Sequence, residues 1–243
     1  MVQKVTVSTQ WISCMVTVVK PNGKIRICLD PKDLNEAVLR EKYQLPTIGD
    51  VASRLHGAKV FTKLDARNGF WHVQLDKESS LLTTFHTPFG LYCWRRLPFG
   101  ICSALEVFQQ RMHEIVEGLT GVEVVVDDFL AVGFGDYMEQ TTRNHEENLL
   151  AFLRKCGEEN LVLNLEKLHL RKTSVPFIGH MSTSEGLKPD QAKVKAIMEM
   201  PAPKDVVGVQ RLLGMVQYLS KFLPHLSDLT KPLCDLLKKG TEW

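Results

Sequence analysis

The chain has 243 residues, 44% hydrophobic and 24% charged, enough apolar material for a packed core and too little charge for a disordered chain. Its longest apolar runs, Ile12 to Val19 and Val122 to Val126, fall well short of the ~20 residues that cross a bilayer, and the start carries no signal-like apolar core. A soluble intracellular protein without a membrane partner is expected, and a net charge of only +2 does not by itself point to a polyanion.

In chain order, Ile12 to Val19 and Ile25 to Leu29 are β-rich runs around Lys20-Pro21-Asn22-Gly23-Lys24, a hairpin signal with a basic tip. Thr47 to Gly57 reads as a short helix capped by Thr47, with Ile48, Val51 and Leu55 on one face. Val60 to Leu64 reads as a strand ending at Asp65, and Leu81 to His86 and Leu91 to Leu97 as two more strands divided by Pro88-Phe89-Gly90. Ser103 and Glu106 form a capping-box pattern ahead of Leu105, Phe108, Met112, Ile115 and Val116, a helix closed by Gly118. Val122 to Val126 and Phe129 to Val132 are short strands with Asp127-Asp128 at their tip. A helix over Thr142 to Cys156 should bury Leu149, Leu150, Phe152 and Leu153. Leu161 to Leu165 and Pro176 to Met181 read as strands, and the pattern from Asp190 onward is helical, with two or three helices punctuated by prolines.

From Val60 the order is strand, helix, strand, strand, helix, strand, the split βαβ arrangement of ferredoxin-like folds, with a β insertion before the first helix. That topology makes the first strand and the central hairpin neighbours and can set Asp65 beside Asp127 and Asp128. Three carboxylates in one corner repel one another unless a divalent cation neutralises them, and oxygen-only ligands suit Mg²⁺. An Asp-Asp pair at a hairpin tip, taken alone, is most often a solvated turn. Charge is distributed unevenly around it: Glu114 to Glu147 holds nine acids against Arg143, so the rest of the chain sums to +10. An acidic centre in a basic surround fits either a solvated patch or a cation site flanked by polyanion-binding surfaces. The six cysteines have no CxxC spacing and the eight histidines no HExxH pair, so reduced, mostly buried thiols and no zinc chemistry are expected.

Several blocks share a family order. Lys20 to Pro31 with Asn35, Tyr43 to Pro46, Lys63-Leu64-Asp65-Ala66-Arg67-Asn68-Gly69-Phe70-Trp71, Thr83-Thr84-Phe85, Leu97-Pro98-Phe99-Gly100-Ile101, Val125-Val126-Asp127-Asp128 and Phe177-Ile178-Gly179-His180 resemble the reverse transcriptase of gypsy-type long-terminal-repeat retrotransposons. The likeness runs over about residues 10 to 243, and its specificity lies in the blocks occurring together. It implies an α+β right-hand polymerase with a ferredoxin-like palm, β-rich fingers and a helical thumb. The implied division is fingers 1–58, first palm strand 59–76, a fingers and palm insertion 77–96, palm 97–182, and thumb with the start of a connection 183–243.

The implied activity is RNA-directed DNA synthesis from deoxynucleoside triphosphates on an RNA or DNA template, with two Mg²⁺ ions for which Mn²⁺ can substitute. By the resemblance Asp65, Asp127 and Asp128 are catalytic metal ligands, the carbonyl of Ala66 completes one metal shell, and Lys167 protonates the departing pyrophosphate. Lys24 and Arg26 grip the triphosphate, Phe70 lies under the incoming sugar, and Phe99 and Gly100 line the nucleotide pocket. Phe177, Ile178, Gly179 and His180 hold the primer end. Each has a plainer alternative: solvated charges for Lys24, Arg26 and Lys167, a core ring for Phe70, a simple turn at Pro98 to Gly100 and a buried strand at Phe177. Departures from the family stand at Val125, where an aromatic residue is usual, at Leu105 and at Leu168. The chain opens at the equivalent of mid-fingers and stops before a ribonuclease H domain, and it carries no protease or integrase signature. Implied partners are an RNA template, a DNA primer and their duplexes, with a homodimer left open, in the cytoplasm within a retroelement particle or in the nucleus. The rival readings are a catalytically silent retroelement fragment that binds nucleic acid or protein, and a metal-dependent nuclease, for which no water-activating base stands out.

Overall fold

The computed structural model of the protein describes residues 1–20 and 23–238. Two compact units follow one another, Met1–Thr173 and Ser174–Trp243. In the first, β1 (Val2–Lys4) precedes a hairpin of β2 (Cys14–Val19) and β3 (Ile25–Asp30), paired from Cys14↔Asp30 to Val19↔Ile25. The expected hairpin is there, although Pro21 and Asn22 of its turn lie outside the described residues. Every residue of β2 is exposed, so this ribbon stands on backbone pairing rather than on a core of its own. After α1 (Lys32–Ala37), α2 (Ile48–Arg54) opens with a reciprocal cap: Thr47 Oγ1 accepts from the Asp50 N–H while Asp50 accepts from the Thr47 N–H.

The centre of this unit is a four-stranded antiparallel sheet. Its members are β4 (Ala58–Asp65), β7 (Val122–Val125), β8 (Asp128–Phe134) and β9 (His169–Lys172), in the order β7-β8-β4-β9. Between β4 and β7 come α3 (Lys77–Leu82), β5 (Phe85–Thr87), β6 (Gly90–Trp94) and α4 (Ala104–Val116); α5 (Met138–Glu158) joins β8 to β9. The outer strands β7 and β9 flank the central β8 and β4, which is the ferredoxin-like order expected. Phe108 and Met112 of α4, Val124, Phe129 and Phe152 of α5 form the core between helices and sheet, each at most 1% exposed. Burying each large side chain contributes roughly 1.5–3 kcal/mol.

Four local expectations are corrected. Leu81 and Leu82 end a helix rather than begin a strand, because Asp76 accepts from the Ser79 N–H and starts α3 early. Ser103 stands at the start of α4 without a side-chain cap, and Glu106 pairs instead with Arg40. Leu161 to Leu165 makes only a bridge from Leu163 to Ala66 before a 3₁₀ turn at Leu165–Lys167, and the fourth strand of the central sheet is β9. The buried face of α5 is Thr141, His145, Asn148, Phe152 and Cys156, whereas Leu150 and Leu153 face solvent.

That face is docked by directional bonds. His145, fully buried and held below its ordinary pKa chiefly by that burial, meets Thr62 Oγ1 of β4 at 2.9 Å, and the Arg171 N–H donates to the same oxygen. Asn148 donates to the Val132 carbonyl and Asn144 accepts from the Phe134 N–H. Gly133 permits the approach, since a Cβ there would lie 2.4 Å from the Thr141 carbonyl. Only Cys93 and Cys156 of the six free cysteines are buried, and burial pushes the Cys156 thiol up to about 12.

The second unit begins with a three-stranded meander, β10 (Ser174–Phe177), β11 (His180–Thr183) and β12 (Gly186–Pro189). Pro176 to Met181 is thus a hairpin instead of one strand. Three helices follow: α6 (Gln191–Met198), α7 (Val206–Tyr218) and α8 (Leu226–Asp235), the first two capped by Asp190 and Asp205. Among the described residues no helix is long and apolar enough to cross a membrane.

Candidate active site

The β4–β8 register pairs Asp65 with Asp128, and the Ala66 N–H donates to the Asp127 carbonyl at 2.8 Å. Asp65 ends one central strand, Asp128 begins the other, and Asp127 occupies the two-residue turn between β7 and β8. All three acids predicted to converge are thereby brought to one corner. The other turn residue, Val126, has φ +56°, a conformation that β-branched side chains avoid and that tight hairpins usually give to glycine. Gly69 presses on the corner from the 3₁₀ turn Gly69–His72: a Cβ on it would lie 2.1 Å from Asp127 Oδ1.

Lysines answer two of the acids. Lys167 Nζ lies 2.7 Å from Asp65 Oδ2, and Lys63 Nζ 3.0 Å from Asp128 Oδ2. Among the described residues Asp127 has no such partner, and its Oδ1 is buried without a hydrogen bond. Its pKa is pushed up to about 6, first by burial and then by the charges of Asp65 and Asp128, against the weaker pull of Lys167 and Arg26. A hard, oxygen-only donor set with one buried, unsatisfied carboxylate oxygen fits a divalent cation. With Asp65 and Asp128 drawn to their lysines, no three His, Cys, Asp or Glu side chains among the described residues converge on one metal point.

Beside the carboxylates runs a stack. The Arg26 guanidinium lies over the Phe99 ring at 4.7 Å, Phe99 packs on Phe70 with centroids 4.9 Å apart, and Phe70 meets Phe108 edge-on at 5.3 Å. Phe70 is half-buried against the core between α4, α5 and the sheet. The Phe99 loop is tied to the hairpin segment: the Leu29 N–H donates to the Phe99 carbonyl, and Asn35 donates to Gly100 O while accepting from the Cys102 N–H. Gly100, at φ +115°, admits no side chain, since a Cβ would fall 1.9 Å from the Leu29 carbonyl oxygen. Lys24 faces Glu166 at 3.9 Å, an exposed pair. Ala66 is buried, between a bond from the Arg67 N–H to Val162 and one from the Asn164 N–H to Asp65.

Phe177, Ile178, Gly179 and His180 lie in the second unit. Phe177 pairs with His180, and both turn residues have positive φ, +47° at Ile178 and +73° at Gly179, the pattern of a type I′ hairpin. His180 Nδ1 meets the Ile178 carbonyl at 3.0 Å, and its ring packs on Tyr218 and Phe222. Lys63 was absent from the sequence-based site. A lysine two residues before Asp65, on the same face of a mostly buried strand, is the signal that would have found it.

Residues 18–182 match the family described as reverse transcriptase (RNA-dependent DNA polymerase). Among curated proteins, the chain is 36% identical over 223 residues to the retrovirus-related Pol polyprotein from transposon opus and 32% over 222 residues to that from transposon 297, both of Drosophila melanogaster. These matches take in 90% of the chain but only 22% and 20% of the polyproteins, so the chain spans about a fifth of their length. It is 33% identical over 230 residues to the enzymatic polyprotein of Cauliflower mosaic virus, 92% of the chain and 32% of that protein. Among solved structures, a foamy viral protease-reverse transcriptase in complex with dsDNA superposes with a TM-score of 0.86 over 100% of this chain and 50% of that one, at 24% identity. Another, with the form termed dRH and ds DNA, gives 0.85 over 99% and 41%, also at 24% identity. The fold is therefore that of the right-hand polymerases, and with the family match extending over well more than half of its length, the chain belongs to the reverse transcriptase (RNA-dependent DNA polymerase) family.

Proposed function

We propose that this chain is the polymerase portion of a gypsy-type retrotransposon and extends a primer on an RNA or DNA template by nucleotidyl transfer from deoxynucleoside triphosphates. The observation that carries this reading is the carboxylate corner, where Asp65 and Asp128 are register partners and Asp127, its Oδ1 buried without a hydrogen bond and its pKa raised to about 6, stands in the turn between the strands. Divalent cations, Mg²⁺ or in its place Mn²⁺, held by Asp65, Asp127, Asp128 and the Ala66 carbonyl, would supply charge neutralisation and polarise the phosphoryl group under attack.

The chain's own groups do the rest. Arg26, whose planar guanidinium can take two phosphate oxygens at once, is held in place by the Phe99 face and grips the triphosphate with Lys24. Lys167, resting on Asp65, is an ammonium with a proton for the departing pyrophosphate. Phe99, Gly100 and Phe70 form the floor on which base and sugar settle. The type I′ turn of Phe177 to His180 holds the primer end. We assign residues 1–58 to fingers, 59–76 to the first palm strand, 77–96 to a fingers and palm insertion, 97–182 to palm, and 183–243 to thumb with the start of a connection. The partners are template RNA, DNA primer and their duplexes.

Purified protein, a defined RNA template, a DNA primer and Mg²⁺ test the reading, with Asp127→Asn alongside. Elongated primer from the wild type and none from the variant is the expected result; no elongation with either would overturn it.

Sugar selection follows from Phe70. If its ring fills the space a 2′-hydroxyl would need, Phe70→Val raises the ribonucleotide to deoxyribonucleotide efficiency ratio by roughly 10-fold or more. Truncating a purely core ring, as in Phe70→Ala, costs about 3–5 kcal/mol and depresses both substrates alike. An unchanged ratio with a lowered melting point would return Phe70 to the core.

A further inference from the structure

The Tyr43 to Pro46 block belongs to no catalytic or binding role described above, yet the structure connects it to the carboxylate corner. Gln109 of α4 has no exposed surface. Its Oε1 accepts from the Val126 N–H at 2.5 Å, and its Nε2 donates to the Val124 carbonyl at 3.1 Å. One carboxamide thus grips the chain on both sides of Val125, and its acceptor fixes the strained residue directly before Asp127. Without Gln109 Oε1 the Val126 amide would lose this acceptor beside a buried carboxylate, at the cost of an unpaired donor.

The same Nε2 lies 2.9 Å from His113 Nε2, one helical turn along. Because Gln109 must present oxygen to the Val126 N–H and NH₂ to the Val124 carbonyl, His113 Nε2 has to be an acceptor. His113 is then neutral with its proton on Nδ1, which faces the Tyr43 hydroxyl at 2.5 Å. Burial, the largest influence on this imidazole, lowers its pKa and favours the neutral form. Three residues upstream of Tyr43, Arg40 pairs with Glu106, also on α4. Glu106, Gln109 and His113 follow one another at i, i+3 and i+7, on one face of the helix, so the segment around Arg40 and Tyr43 is strapped along it.

We infer that Gln109 is a positioning residue for the Asp127 turn, and that the Arg40 to Tyr43 strap, acting through His113, holds its amide against that turn. The inference rests on the polymerase reading for Asp127 but not for the clamp itself. The charge acting on His113 is Arg54 of α2, itself paired with Glu123 of β7; the Val124 carbonyl pulls its pKa the other way, less strongly than burial, and Tyr43 faces it from the strap.

The test combines amide exchange read by NMR with primer-extension kinetics on the full chain. In Gln109→Leu the Val126 amide exchanges about tenfold faster or more while α4 amides keep their protection. The kcat of extension falls by about 100-fold, as expected for a misplaced catalytic group, with primer-template affinity and nucleotide KM little changed. Gln109→Glu keeps an acceptor for Val126 but turns its second oxygen toward both the Val124 carbonyl and His113, a pairing that improves when the carboxyl or the imidazole takes up a proton. Its extension is higher at pH 6 than at pH 8, relative to wild type, and this variant decides the matter if Gln109→Leu does not fold. Tyr43→Phe, which frees the imidazole to rotate, gives a smaller loss of kcat in the same direction. Unchanged Val126 exchange in Gln109→Leu, or a Gln109→Glu pH profile parallel to wild type, would overturn the clamp. Faster Val126 exchange in a protein that extends no primer, wild type included, would support the clamp and sink the polymerase reading alone.

Discussion

Asp127→Asn is expected to abolish primer extension, by about 10³-fold or more, and at the same time to raise the melting temperature measured without divalent cation at pH 7 to 8. Both effects have one origin. The folded chain keeps the Asp127 proton up to a pKa of about 6, above the ordinary 3.8, so ionising this carboxyl works against the fold. Stability attributable to Asp127 therefore falls as pH rises from about 4 to about 6, stays at its lower level above that, and is unaffected below about 4, where both states hold the proton. Asparagine removes the titration, so its stability gain is full above pH 6 and vanishes below about pH 4. Melting curves across pH in chelator, beside extension assays in Mg²⁺, check the pair of outcomes. A variant that extends normally would remove Asp127 from the chemistry, and a gain independent of pH would remove the electrostatic explanation.

The second large effect is expected at Gly69, a residue that carries no functional group. Alanine there would place its Cβ 2.1 Å from Asp127 Oδ1. The atom in the way is the end of a side chain rather than backbone, so the carboxylate swings aside and the fold survives. Extension should fall by about 100-fold, the scale of a 1 Å misplacement, while the melting temperature stays near wild type. Gly100→Ala is the instructive contrast, because its Cβ would meet the Leu29 carbonyl oxygen at 1.9 Å from a backbone at φ +115°. That variant should lose stability first and activity as a consequence. Circular dichroism melts and single-turnover rates for both alanine variants separate the two cases. A large loss of stability in Gly69→Ala would show that its crowding reaches beyond Asp127.

Much of the palm was legible because hydrophobic period and turn chemistry agreed with the final contacts. Val60, Phe61, Thr62 and Leu64 are buried, the β7–β8 turn holds Asp127, and Phe108, Met112 and Ile115 of α4 face the core as their spacing implies. Where the reading failed, a polar side chain had taken the part expected of an apolar one. Asp76 converted the β-branched and leucine-rich run before Phe85 into the end of a helix. β9 was overlooked because His169, Leu170, Arg171 and Lys172 are all exposed on a sheet edge, leaving no alternation to detect. At the site, the carboxylates were evident from strand order, but Lys63 and Gln109 were not. A glutamine followed by a second glutamine in a helix resembles a solvated face, and only tertiary structure places Gln109 over Val124 and Val126.

The polar seam between α5 and the sheet has a consequence for how unambiguously the palm folds. Greasy helix faces tolerate sliding, since one leucine fills a gap much as another does. His145 and Asn148 do not: each meets a particular atom, Thr62 Oγ1 or the Val132 carbonyl. A shift of α5 by one residue would bring Glu146 or Leu149 to those atoms, and Gly133 would no longer lie beneath Thr141 and His145. Such contacts add little net free energy over an all-apolar seam, yet they make every neighbouring register costly. The helix therefore acts as a key with one setting. Because the sheet it locks ends in Asp65 and Asp128, the alignment of the two carboxylates is inherited from hydrogen bonds that α5 makes to the same two strands, three and four residues along from them.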